Sequence, residues 1–236
     1  MTPILEICVG DIGGLDTAVE AGADRIELCA ALDQGGLTPS TGLIELAAAA
    51  PVPVHVLIRP RAGGFVYSAR EFETMLRDIA FCRSAGIAGV VIGALDRNHD
   101  LDADGLATLI AAAQGMDITL HRAFDLTRDP FAALETAVAL GIPRILTSGQ
   151  EQRASEGRDL ITALATAADG RIALMPGGGL NSENAHLFLA ISGVSELHAS
   201  CTTRHQAEAL KLQGFESAAP GRTDAAAIRA MKAAMA

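Results

Sequence analysis

The stretch Thr17-Ala-Val-Glu-Ala-Gly-Ala-Asp-Arg-Ile-Glu-Leu-Cys29 decides the fold. An alanine-rich helical run stops at Gly22, and an apolar strand begins near Arg25. Glycine is favoured just past a helix because that position often needs a left-handed backbone. The same passage from helix to glycine to strand recurs at Gly86, Gly115, Gly141, Gly170 and Gly193, with strands expected near Gly89, Ile118, Arg144, Arg171 and Glu196. Two further strands are expected near Pro3 and Pro53, the second after the Pro-Val-Pro that stops the Ala47–Ala50 run.

Eight strands, each separated by room for one helix, imply a parallel sheet covered by helices. The 236 residues suit one (β/α)₈ barrel, which typically takes about 250. A doubly wound open sheet is the rival. Its nucleotide-binding form wants Gly-x-Gly-x-x-Gly after the first strand, whereas the sequence there is Val9-Gly-Asp-Ile-Gly-Gly14. The expectation is a single barrel domain over residues 1–236. Helix starts are marked by Thr38-Pro39, by Asp129-Pro130, each read as a cap followed by proline at the first helical position, and by the capping box Ser68-Ala-Arg-Glu71. The polar segment 204–222 reads as a long loop before a last helix.

Composition removes several classes of function. There is no Trp, one Tyr and a formal charge of −10, which disfavours base stacking and polyanion partners. No apolar run reaches the roughly 18 residues of a membrane span, and the N-terminus carries no basic signal region. Four cysteines without a Cys-x-x-Cys pair read as free thiols of a reducing cytoplasm. Only Lys211 and Lys232 are lysines, both late in the chain, so a Schiff-base aldolase lacks its strand lysine. No two histidines stand two apart, so a His-x-His zinc hydrolase lacks its motif.

Barrel strands are mostly apolar, and barrel chemistry sits at their C-terminal ends. Ionisable residues there are the informative exceptions: Glu6 and Cys8, Glu27 and Cys29, His55, Arg59 and Arg61, His121, Arg122 and Asp125, Thr147 and Ser148, His198 and Ser200. A strand's side chains alternate in direction, so Glu6 shares a face with Cys8, and Glu27 with Cys29. The repeat Glu-x-Cys on adjacent strands leads us to expect two neighbouring carboxylates with two neighbouring sulfurs one layer higher. Arg59 and Arg122 are the expected partners of the acids. Gly177, Gly178 and Gly179 precede a helix and read either as a phosphate cradle or as a tight turn. Arg144, His99, His186 and His205 read as solvated or peripheral, Cys82 as core, and Cys201 as near the mouth.

The segments Leu5-Glu-Ile-Cys8, Ala23-Asp-Arg-Ile-Glu-Leu-Cys29, Gly35-Gly-Leu-Thr-Pro-Ser40, Ile58-Arg-Pro-Arg61 with Gly63-Gly-Phe65, His121-Arg-Ala-Phe-Asp125 and Leu146-Thr-Ser-Gly-Gln150 together resemble the CutC family of copper homeostasis proteins. The resemblance implies a cytoplasmic (β/α)₈ barrel that forms homo-oligomers, a dimer first. It implies Cys8 and Cys29 as Cu(I) ligands, and Glu6, Glu27, Arg59, His121 and Asp125 as an enzyme-like constellation. Two functions follow as expectations. One is Cu(I) binding by paired thiolates, which suit that soft ion. The other is acid–base chemistry on a small anionic or phosphorylated metabolite. There Glu6 and Glu27 would have split pKa values, and His121 would transfer protons. Arg61, Arg122, Ser148, Gly177–Gly179 and His198 would hold the substrate.

Overall fold

The structure is a computed structural model that describes residues 2–204 and 221–236; Lys211, His205 and most of the expected 204–222 loop lie outside the described residues. Eight strands run parallel: β1 Ile4–Val9, β2 Arg25–Leu28, β3 Val54–Leu57, β4 Gly89–Ile92, β5 Asp117–Leu120, β6 Arg144–Thr147, β7 Ala173–Pro176 and β8 Glu196–Ala199. They pair in the order β7-β6-β5-β4-β3-β2-β1-β8, and a parallel bridge from Gly177 to His198 joins the two ends. The result is a (β/α)₈ barrel, as the spacing of the glycine stops implied.

Helices α1 Ile12–Glu20, α2 Thr41–Ala47, α3 Ala69–Ser84, α4 Ala103–Ala112, α5 Pro130–Ala139, α6 Arg158–Ala168, α7 Ala185–Leu189 and α8 Ala225–Met235 follow the strands in turn. Their starts are chemically specified. Asp129 caps α5 with Pro130 at its first turn, and Ser68 and Glu71 close a reciprocal capping box on α3. The Thr38-Pro39 reading needs correction. The cap of α2 is Ser40, because the Thr38 hydroxyl is taken by the backbone N–H of Arg59 at 2.8 Å. Thr38 thus pins the end of the β2–α2 segment to the chain just past β3. After β8, a short antiparallel ribbon, β9 Thr202–Arg204 with β10 Gly221–Thr223, brings the chain back to α8, and Lys232 of that helix is held by Asp24 at 2.7 Å.

The two faces of the barrel strands differ in kind. Outward residues such as Leu5, Ile7, Ile26, Leu28, Val56, Val90, Ile92, Leu120 and Leu197 join the helices in one continuous apolar core. Inward residues are a mixed layer. Leu57, Val91 and Cys29 form a small separate apolar cluster, and the charged side chains Glu6, Arg25, Glu27, Arg144 and Glu196 are buried with them.

Candidate active and metal site

The lower half of the barrel interior is a chain of ion pairs. Arg25 Nε donates to Glu6 Oε2 at 2.5 Å, and Arg25 Nη2 donates to Glu196 Oε2 at 2.5 Å. The same Glu196 oxygen accepts from Arg144 Nε at 2.5 Å, and Arg144 reaches Asp117 at 3.1 Å. His55 Nε2 stands 3.5 Å from that Asp117. Arg144 is therefore a buried residue held between the buried Glu196 and the half-exposed Asp117, not a peripheral one. Glu6 is matched by Arg25, not by Arg59 or Arg122. Buried charges persist only where paired and hydrogen-bonded, and this chain satisfies each of its guanidinium groups.

Above it the register sets the site. Glu6 lies beside Arg25, and Cys8 lies beside Glu27; on the other side Glu6 lies beside His198. The expected pairing of acid with acid and sulfur with sulfur is thus displaced. The staggered strands of a closed barrel put each Glu-x-Cys repeat two residues out of step, so the sulfur of β1 meets the carboxylate of β2. His198 bridges the two acids: its Nδ1 is 2.8 Å from Glu6 Oε1 and its Nε2 is 3.7 Å from Glu27 Oε2. One donor atom each of Cys8, Glu27 and His198 lie within 4.8 Å of one another, and the His198 ring donates a hydrogen bond to the Cys8 sulfur.

The protonation pattern follows from these contacts. Burial alone would raise the Glu6 carboxyl, but the His198 hydrogen bond and the Arg25 guanidinium hold it far below the usual carboxylate range. Burial lifts Glu27 above that range, against the pull of His198. Burial works against a charged His198, yet its bonds to Cys8 and Glu6 keep the ring protonated well above its ordinary value. Cys29 is a buried neighbour of Glu27, and burial together with that carboxylate pushes its thiol up strongly. Cys201, with a left-handed backbone at φ 43°, is half-buried beyond β8. Burial first, then Cys8 and Asp224, push its thiol up to about 11.

At the rim the predicted residues separate. Asp125 is fully engaged: it accepts from Thr147 Oγ1 at 2.5 Å, Ser148 N at 3.0 Å, Gln150 N at 3.2 Å and Arg122 Nε at 2.8 Å. Its position makes it the clamp that shapes the loop after β6. Arg122 also donates to Ser148 Oγ at 2.5 Å and the Glu151 carbonyl at 3.0 Å, so Arg122 and Ser148 belong to the same clamp. Arg61 is turned to Glu71 and to the carbonyls of Gly64 and Val66. The glycine run behaves as a turn: Gly177 N–H donates to Thr147 O and the Gly178 carbonyl accepts from Ala154, and the helix that follows is only the five-residue α7. Arg59 and His121 remain at the mouth, both buried. His99 and His186 are exposed and Cys82 is core.

Sequence reasoning missed Arg25, Glu196 and the two glycines that start and follow β4, Gly89 and Gly93. The first two lie at strand starts, where only apolar positions were expected. The signal for the third was the spacing Gly89-Val-Val-Ile-Gly93. A Cβ at Gly89 would lie 2.6 Å from the His55 ring, and one at Gly93 would lie 2.4 Å from the His121 ring. Glycine in a strand marks such close approach.

The CutC family's sequence model matches residues 3–203. The chain belongs to the CutC family. A CutC family protein of Sinorhizobium medicae is 51% identical over 234 residues, covering 98% of this chain and 96% of the relative. The human copper homeostasis protein cutC homolog is 44% identical over 198 residues, covering 84% and 72%. A crystal structure of the CutC of Streptococcus agalactiae aligns with a TM-score of 0.80 at 33% identity, covering 84% of this chain and 98% of that one. The barrel alone is shared with KGPDC from Streptococcus mutans, with a TM-score of 0.63 at 15% identity. The CutC match spans every strand of the barrel, Cys8, Glu27 and His198 included, and stops short of α8. Among the described residues no helix is long and apolar enough to cross a membrane.

Proposed function

We propose that this CutC protein binds copper as Cu(I) inside the barrel mouth, with the Cys8 sulfur as the primary ligand and His198 and Glu27 beside it. The supporting observation is the cluster of one sulfur, one imidazole and one carboxylate within 4.8 Å. Thiolate and imidazole are the donors that suit cuprous copper. Glu6 takes the Nδ1 side of His198, which leaves Nε2 toward Cys8 and Glu27; Nε2 gives up its proton when the metal binds, and carboxylates commonly orient ligating imidazoles in this way. Cys29 is the second sulfur. It ranks after Cys8 because it stands outside the cluster of Cys8, Glu27 and His198, and burial raises its thiol. Anaerobic Cu(I) titration against a competing chelator tests the reading. Cys8→Ala is expected to abolish tight binding, Cys29→Ala to weaken it, and His198→Ala to weaken it as well. Unchanged stoichiometry and affinity in the Cys8→Ala, Cys29→Ala double variant would overturn it.

A second reading has one observation in its favour. Glu6 and Glu27 flank the same imidazole with carboxyl groups driven in opposite directions, one held low and one raised. That division is how paired acids acquire separate acid and base roles. On this reading the barrel is an acid–base catalyst for a small anionic metabolite. Turnover that survives Glu27→Gln would remove it.

A further inference from the structure

Around Phe65, on the β3 side of the mouth, two polar atoms, Arg59 Nε and His121 Nε2, are buried without a hydrogen-bond partner among the described residues, and the Tyr67 hydroxyl lies within reach of the Arg59 guanidinium. The Phe65 ring joins them. The Arg59 guanidinium carbon is 5.1 Å from its centroid, and the His121 ring is 4.8 Å from it. The Arg59 charge acts on both the His121 ring and the Tyr67 hydroxyl.

Arg59 and His121 are each fixed in a donating state. The backbone N–H of Ala123 donates to His121 Nδ1 at 3.0 Å, which puts the ring proton on Nε2. Gly93 gives that ring its seat, since any side chain there would collide with it. Arg59 spends its Nη groups on the carbonyls of Gln34, Gly36 and Gly63, at 3.0, 2.7 and 2.8 Å. Its Nε–H is left over. Among the described residues no carboxylate lies within ion-pair distance of Arg59, although its side chain is almost wholly out of water. The contrast with Arg25 and Arg144 is direct: those buried guanidinium groups each have acidic partners.

An uncompensated buried cation with adjacent free donors is costly in an empty fold and suited to an acceptor that carries negative charge. We propose that Arg59 Nε–H and His121 Nε2–H, with the Tyr67 hydroxyl beside them, bind the carboxylate of a small organic acid at the mouth of the barrel. The site is separate from the Cys8, Glu27 and His198 cluster and does not rest on the copper reading. It makes His121 a neutral hydrogen-bond donor to a bound oxygen in place of the proton carrier expected from the sequence.

Pyruvate, a small planar carboxylate, is the probe. In the full-length protein labelled with ¹⁵N-histidine, His121 is expected to show a single Nε2–H tautomer whose resonance moves on pyruvate titration. His121→Phe, which removes the donor, is expected to weaken pyruvate by about tenfold, the loss of one hydrogen bond to a charged group. Arg59→Met is expected to abolish binding, and His121→Gln, which keeps a donor near the same place, to retain most of it. Cys8→Ala is expected to leave pyruvate affinity unchanged, so that failure of copper binding and failure of this site are told apart. An unmoved His121 resonance in the wild type overturns the proposal whether or not the variants fold. So does undiminished affinity in His121→Phe, or a pyruvate-soaked crystal with only water between the donors.

Discussion

The outer and inner faces of the same eight strands follow different rules. Outside, Leu5, Ile7, Ile26, Leu28 and their neighbours pack against helices in a core of apolar side chains. Inside, one residue along the chain, Glu6, Arg25, Glu27, Arg144 and Glu196 are as deeply buried. The outer face is held by non-directional burial, so similar side chains can replace one another there. The inner face is held by directional pairs in which each charge depends on a named partner. The first is therefore tolerant and generic, whereas the second is exacting and carries the sites.

The largest predicted effect comes from breaking the inner face at one point. Arg25→Met leaves Glu6 and Glu196 without a shared partner, and loss of a buried pair's cation typically costs about 3–5 kcal/mol. Urea unfolding of Arg25→Met should show a loss in that range; a loss under 1 kcal/mol would mean that the network is not a single unit. Gly93→Ala comes next. Its Cβ meets the His121 ring at 2.4 Å, and overpacking of this kind costs about 1–3 kcal/mol. The same variant should displace the His121 resonance.

A third prediction concerns pH. Burial, with Arg59 adding, lowers His121 to about 3, and burial lowers His55 to about 4, both from 6.5. In the unfolded chain these rings take up protons as pH drops through 6.5, while in the folded protein they stay neutral. Stability is then present above pH 6.5 and falls as pH is lowered toward the folded values, by about 1.4 kcal/mol per pH unit for each ring. Between pH 6.5 and 4.5 this loss comes from the two histidines, because the depressed Glu6 acts only below its ordinary range and the raised Glu27 works the other way, adding stability as it takes up a proton in the fold. His121→Gln should flatten the dependence of the urea midpoint on pH across that window; an unchanged slope would show that His121 is protonated in the fold. The smallest effect is expected outside the barrel, where Ile26→Val should cost about 0.5–1.5 kcal/mol with no change in pH dependence or ligand binding.

The same division explains what the sequence disclosed. Helix stops such as Gly22 and Gly86 sit at φ 93° and 79°, a local requirement written in single residues, and they located the strands to within two residues. Alternation showed that Glu6, Cys8 and Glu27 point inward. The lateral register was not legible, because barrel stagger is a property of closure that no one strand carries. Hence alternation pairs Cys8 with Cys29, whereas its neighbour in the barrel is Glu27. Arg25 and Glu196 carry no such local signal, because they stand at the bottom of the barrel, where their partnership joins strands 171 residues apart in sequence. Asp125 and Arg122 were visible as charged residues, but only the fold shows that they spend their hydrogen bonds on the loop after β6.

The inner face gathers a sulfur, an imidazole and a carboxylate from three strands into one cluster that could hold a metal ion. X-ray absorption at the copper K-edge of the Cu(I)-loaded protein tests this most directly. A first shell that contains sulfur together with an imidazole nitrogen, the nitrogen lost in His198→Ala, is the predicted result. A shell of sulfur alone that His198→Ala leaves untouched would contradict it.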